Sequence, residues 1–133
     1  MGPRPTPRAA ALVDGLALVA FVVVGVIQHD AGSAVRGLLR TGIPLLAAWY
    51  LVALLVGTYR RPGWLTALLT WGIAVPIGLV VRSIVRGGPW GHGLLVFGGV
   101  ALAFTLLFVL GGRLLLSGVA LARGSAPRSA ASR

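Results

Sequence analysis

The chain has 133 residues, a mean hydropathy of +0.94, 57% hydrophobic residues and 11% charged ones, too short for two domains and too apolar for a water-soluble one. Its formal charge of +10 comes from 12 arginines against two acids, Asp14 and Asp30, and the arginines flank apolar runs instead of lining one polar face. That placement reads as topology signals and contact with anionic lipid headgroups, and excludes a nucleic-acid surface. With no cysteine and no lysine, disulfides, zinc thiolates and Schiff bases are unavailable.

Residues 1–8, MGPRPTPR, carry three prolines and two arginines and are expected to form a disordered or extended arm before a membrane domain over 9–122. The first apolar run, 9–28, is interrupted only by Asp14. A secretory signal peptide is the rival reading, with Arg4 and Arg8 as its basic start and a cleavage site among the small residues near Ala34. The acid inside the run argues against it, since it costs about 2.5–3.5 kcal/mol on insertion scales. A polar connector from His29 to Arg40 follows, with room for one helical turn in the membrane interface.

The second run, 42–59, opens with Gly42 and Pro44 and closes on Tyr59, a residue suited to headgroup depth. Only Arg60, Arg61, Pro62 and Gly63 separate it from the third run, 64–85, so the two must form an antiparallel hairpin. Within the third run, Trp64 to Val81 is uncharged over 18 residues. At ~1.5 Å per residue it is about 27 Å long, close to the ~30 Å hydrocarbon core of a bilayer. Trp64 suits an interfacial anchor, and Pro76, which lacks an amide hydrogen, is expected to kink the helix. A Gly- and Pro-rich connector leads to the fourth run, 93–116, with an apolar extension to Ala122 and a disordered tail over 123–133. Four spans predict an all-α integral membrane four-helix bundle.

Orientation follows from the arginines. The side holding both chain ends and the 60–63 hinge carries eight: Arg4, Arg8, Arg60, Arg61, Arg113, Arg123, Arg128 and Arg133. The other side carries four: Arg36, Arg40, Arg82 and Arg86. Both ends are therefore expected in the cytoplasm, in a multi-pass protein of a prokaryotic inner membrane.

A carboxylate in hydrocarbon needs a partner, a proton or water. With a first helix starting near Ala9, Asp14 lies about 7–8 Å inside the inner boundary and Arg82 about 27 Å inside it, a separation of ~20 Å that forbids pairing. Arg113 returns to the level of Asp14 on the fourth run, so an Asp14–Arg113 ion pair is expected, with a proton or cation pathway at Asp14 as the functional rival. Trp71, Val75, Gly78 and Arg82 share one face of the third helix, where Gly78 admits a close neighbour beside the guanidinium. Arg82 either faces the interior, with His29 and Asp30 nearest, or snorkels to the headgroups. Asp14, Leu18, Phe21, Gly25 and Gln28 form a matching stripe on the first helix. If the stripes face, the interior has two polar ends and an apolar middle.

Small residues four apart, Ala11 and Gly15, Ala53 and Gly57, Ala74 and Gly78, Gly99 and Ala103, permit close crossings or oligomer contacts. Thr66, Thr70 and Thr105 suit hydrogen bonds to carbonyls of their own helices. His29 and His92 have no third ligand nearby in sequence, so no metal, haem or other cofactor is expected. No phosphate loop, nucleophile elbow or zinc-protease signature occurs, and no enzyme is expected.

Over about residues 12–116 the chain resembles DUF3054, a prokaryotic family of small four-span membrane proteins of unknown function. The resemblance rests on Asp14, the Gly25 to His29 step, Pro44, Trp71, Gly78, Arg82, and Gly112 followed by Arg113. The chain departs from the family pattern where Val26 and Ile27 replace basic residues, Ala74 a threonine, and Gly112 an aromatic. The resemblance implies an architecture and a set of polar positions, and no activity. A small oligomeric transporter or channel-like protein for an ion or small solute is the leading expectation, and an accessory subunit of a larger membrane complex the alternative.

Overall fold

The computed structural model describes residues 5–28, 33–61, 63–88 and 90–124. Among them are four helices and no strand: α1 (Pro7–Gln28), α2 (Ala34–Val56), α3 (Trp64–Arg86) and α4 (His92–Gly124). All four are long and apolar enough to cross a bilayer. The chain is a multi-pass, all-α membrane protein.

The helix ends follow local chemistry. Thr6 accepts from the Ala9 amide through its side chain, with Pro7 at the first helical position, so α1 begins inside the expected arm. Ser33 caps α2 in the same way through the Arg36 amide, and the helix starts at Ala34, eight residues before the expected second span. The expected connector is thus helical from Ala34 to Arg40, because Arg36 and Arg40 can hold their charges at the surface on long stems without breaking the helix. At the other end Gly57 adopts φ 76°, and its amide and that of Thr58 both return to the Ala53 carbonyl. This left-handed closure stops α2 at Val56 instead of Tyr59. The helix α4 runs on to Gly124, past the expected 116, since the sequence stays apolar and Ser117 bonds back to the Arg113 carbonyl. Residues 1–4 of the arm and 125–133 of the tail lie outside the described residues.

Each helix packs on two neighbours, in the ring order α1, α2, α3, α4 and back to α1, with no close backbone approach across either diagonal among the described residues. The core is thin: Leu18, Trp49, Ala74, Val75, Ala101 and Val109 are buried, while Leu12, Leu16, Leu55 and Leu95 face outward. In lipid this is the expected balance, because hydrocarbon solvates an outward leucine as well as the core does. Close packing and hydrogen bonds must hold the helices together instead. Thr58 in the hinge meets Thr70 and donates to the Thr66 carbonyl, tying the α2–α3 turn to the first turns of α3.

Gly78 supplies the tightest α2–α3 approach. A Cβ there would stand 3.1 Å from both the Leu45 Cα and its Cδ1. Gly78→Leu is therefore expected to cost about 1–3 kcal/mol through overpacking. Gly99→Leu, at an exposed position with nothing near its Cβ, is expected to change stability by less than about 0.5 kcal/mol. Unfolding midpoints in mixed detergent–SDS micelles measure both, and equal midpoints for the two variants would contradict the close approach.

Candidate functional site

At one end of the bundle a single carboxylate gathers three donors. Arg113 on α4 donates from Nε to Asp14 Oδ1 at 2.9 Å and from Nη2 to Oδ2 at 2.6 Å, a bidentate pair. Tyr59, just past α2, donates its hydroxyl to Oδ2 at 3.0 Å, and that hydroxyl accepts from Trp49 Nε1 at 3.0 Å. Asp14 has no exposed surface, and the Arg113 side chain is 11% exposed. One turn before Asp14, Tyr50 donates to the Ala11 carbonyl at 2.8 Å and fastens α1 to α2.

Glycines let these groups meet. A Cβ on Gly112 would lie 2.8 Å from Val13 Cγ1, so the residue before Arg113 must be small for α4 to close on α1. Gly15 similarly leaves the space that the Tyr50 hydroxyl fills. The ion pair is neutral overall and its charges are satisfied within the protein. It acts as a clasp.

The other end is organised around Arg82. Its guanidinium donates from Nε to Thr41 Oγ1 at 3.1 Å and lies over the Phe97 ring, 4.4 Å from its centroid. The residue is only 7% exposed, so it faces the interior and does not snorkel outward. Its Nη1 is buried without a hydrogen-bond partner, a state shared only by Ser83 Oγ among the described residues. A buried cation with an idle donor normally carries a penalty. Here it borders a half-enclosed cavity of about 400 Å³ whose walls come from all four helices. Phe21, Gly25 and Gln28 of α1 line the cavity with Arg82, so the outer parts of the two expected stripes face a common space without a close backbone approach between their helices. Arg86 and Thr41 line it as well.

The remaining candidates divide. Trp71 is separate from Arg82 in role: its indole donates to the Leu102 carbonyl and to Thr105 Oγ1, both at 3.2 Å, and so fastens α3 to α4. Gly78 serves the α2–α3 approach already described. Thr66, Thr70 and Thr105 bond carbonyls at Gly63, Thr66 and Ala101. His29 and Asp30, expected near Arg82, lie outside the described residues; His92 is exposed at the start of α4. Among the described residues no three metal-ligating side chains gather.

Sequence reasoning missed Tyr59, Trp49 and Phe97. Tyr59 reads as a headgroup tyrosine from its place at the end of an apolar run, but the Gly57 closure turns it back to Asp14. Its spacing of ten residues from Trp49 crosses that turn, and no helical periodicity connects them.

The chain matches no curated protein and no solved structure. DUF3054, described as "Protein of unknown function (DUF3054)", matches it over residues 11–116, from just before Asp14 to just after Arg113 and so across both polar ends of the bundle, and the chain belongs to that family.

Proposed function

We propose that the protein is a small transporter, working as an oligomer in a prokaryotic inner membrane, that takes up an anion at the Arg82 end. The observation that carries this reading is the asymmetry of the bundle. One end is held shut by Asp14, Arg113 and Tyr59, and the other opens into a cavity bordered by a buried guanidinium with a donor to spare. A carrier must keep one side of a recognition site closed while the other is open, and the closure must be able to exchange. With both chain ends in the cytoplasm, as the arginine count predicts, the cavity faces outward and the clasp inward. Four short helices enclose little space, so the path across the inner half would run beside the clasp or between protomers. No catalysis is assigned to the protein.

The test is anion efflux from proteoliposomes, using chloride and carboxylates of increasing chain length. Wild type is expected to release at least one of these faster than protein-free liposomes, and Arg82→Gln to slow it at least fivefold. Asp14→Asn, which weakens the clasp, is expected to change the rate again. Wild-type rates equal to those of empty liposomes for every anion would overturn transport. In that case the accessory-subunit reading takes over; what favours it is the pair Gly99 and Ala103, exposed on α4 with nothing packed against Gly99.

A further inference from the structure

We infer that the Arg82 cavity takes an amphipathic anion, a single negative headgroup carrying an apolar chain, that enters sideways from the bilayer. The inference rests on the proposed reading of the cavity as a recognition site and names its ligand class. Two features of the cavity point the same way.

The first is its polarity. Arg82, more than nine-tenths buried and with its Nη1 unpartnered, lines the space, and Arg86 lines it too. No acid among the described residues lines the cavity. An anion there completes the guanidinium, whose other contacts are a neutral hydroxyl and an aromatic face. Apart from Gln28 and Thr41 the rest of the wall is apolar, with Phe21, Phe97 and Phe104 offering nothing to a hydrated ion. A small hydrophilic anion would lose most of its water against that wall without replacement. An apolar chain would lose nothing.

The second feature is the opening. Val24 on α1 and Val100 and Phe104 on α4 line the cavity and are 41%, 52% and 47% exposed. The cavity therefore reaches the outside through the seam between α1 and α4, where the surroundings are hydrocarbon. Gly25 widens the same seam: a Cβ added there would meet nothing within 4 Å. A headgroup at Arg82 with its chain leaving through this seam keeps each part in its own medium. The volume of about 400 Å³ lies in the ~300–1,000 Å³ range of ligand sites.

The experiment measures radiolabelled laurate binding to the full chain in phosphatidylcholine nanodiscs, with protein-free discs subtracted. Saturable binding of one laurate per chain is expected. Arg82→Gln should weaken it at least tenfold. Gly25→Leu, which fills the seam and leaves every contact of Arg82 in place, should do the same, so the result stands even if loss of the arginine unfolds the protein. Acetate, with the head alone, and dodecyltrimethylammonium, with the same chain and opposite charge, should not displace laurate at equal concentration. Displacement by phosphatidylglycerol would identify a bilayer lipid as the source of the same headgroup-and-chain chemistry; no displacement would leave a free fatty acid. Equal binding of the ammonium compound, displacement by acetate, or unchanged binding in both variants would overturn the inference. Laurate binding without any anion efflux would remove transport and keep the ligand class, whereas chloride efflux without laurate binding would do the reverse.

Discussion

Replacing Arg113 by glutamine is expected to cost about 3–5 kcal/mol of stability, the usual effect of removing one partner from a buried ion pair. The carboxylate left behind has no exposed surface and keeps only the Tyr59 hydroxyl. Asp14→Asn should cost less, because Arg113 is on a long stem at 11% exposure and can turn its charge toward the headgroups. The double variant Asp14→Asn with Arg113→Gln should be more stable than Arg113→Gln alone, since neither side chain then carries an uncompensated charge. The swap Asp14→Arg with Arg113→Asp should recover part of the loss. Reversible unfolding in mixed micelles across this cycle gives the coupling between the two sites. A coupling near zero, with both single variants tolerated, would show that the charges are not energetically joined.

Trp49→Ala is the second large effect, expected at about 3 kcal/mol, the lower end of the range for removing a buried aromatic. Trp49 is fully buried and its indole donates to Tyr59, so truncation leaves both a cavity and a weakened support for the Asp14 donor. In water the lost transfer energy would add to the cavity term. In a bilayer the unfolded reference is itself apolar, which removes much of that part. Trp49→Phe keeps most of the volume and loses the hydrogen bond, so about 1 kcal/mol is expected, near the average for a polar contact between membrane helices. If the two variants unfolded together, packing around Trp49 would not be what the site depends on.

Depth along the membrane normal is one-dimensional and set by residue count, which is why the Asp14–Arg113 contact could be reasoned from the sequence. The rise per residue puts both groups at one level and separates Asp14 from Arg82. Periodicity was equally informative for the buried faces of α1 and α3, where Leu18, Val75, Gly78 and Arg82 all turn inward. Boundaries were less legible. The start of α2 depends on one cap, Ser33, in a stretch whose composition reads as connector, and its end depends on the left-handed Gly57. Lateral position was not legible at all. That Phe97 stacks under Arg82, or that Tyr59 reaches back to Asp14, depends on how helices rotate and turn against one another. The need for a glycine at position 112 becomes visible only when Val13 is seen against it.

The clasp joins residues 99 positions apart in the chain. At a synthesis rate of about 5–20 residues per second, the acid emerges some 5–20 s before the base that neutralises it. During that interval the nascent first span carries an unanswered charge, and the last span is the one that relieves it. Chains cut short before residue 113 should thus stay poorly inserted, so that only a completed polypeptide leaves the insertion machinery in its final form.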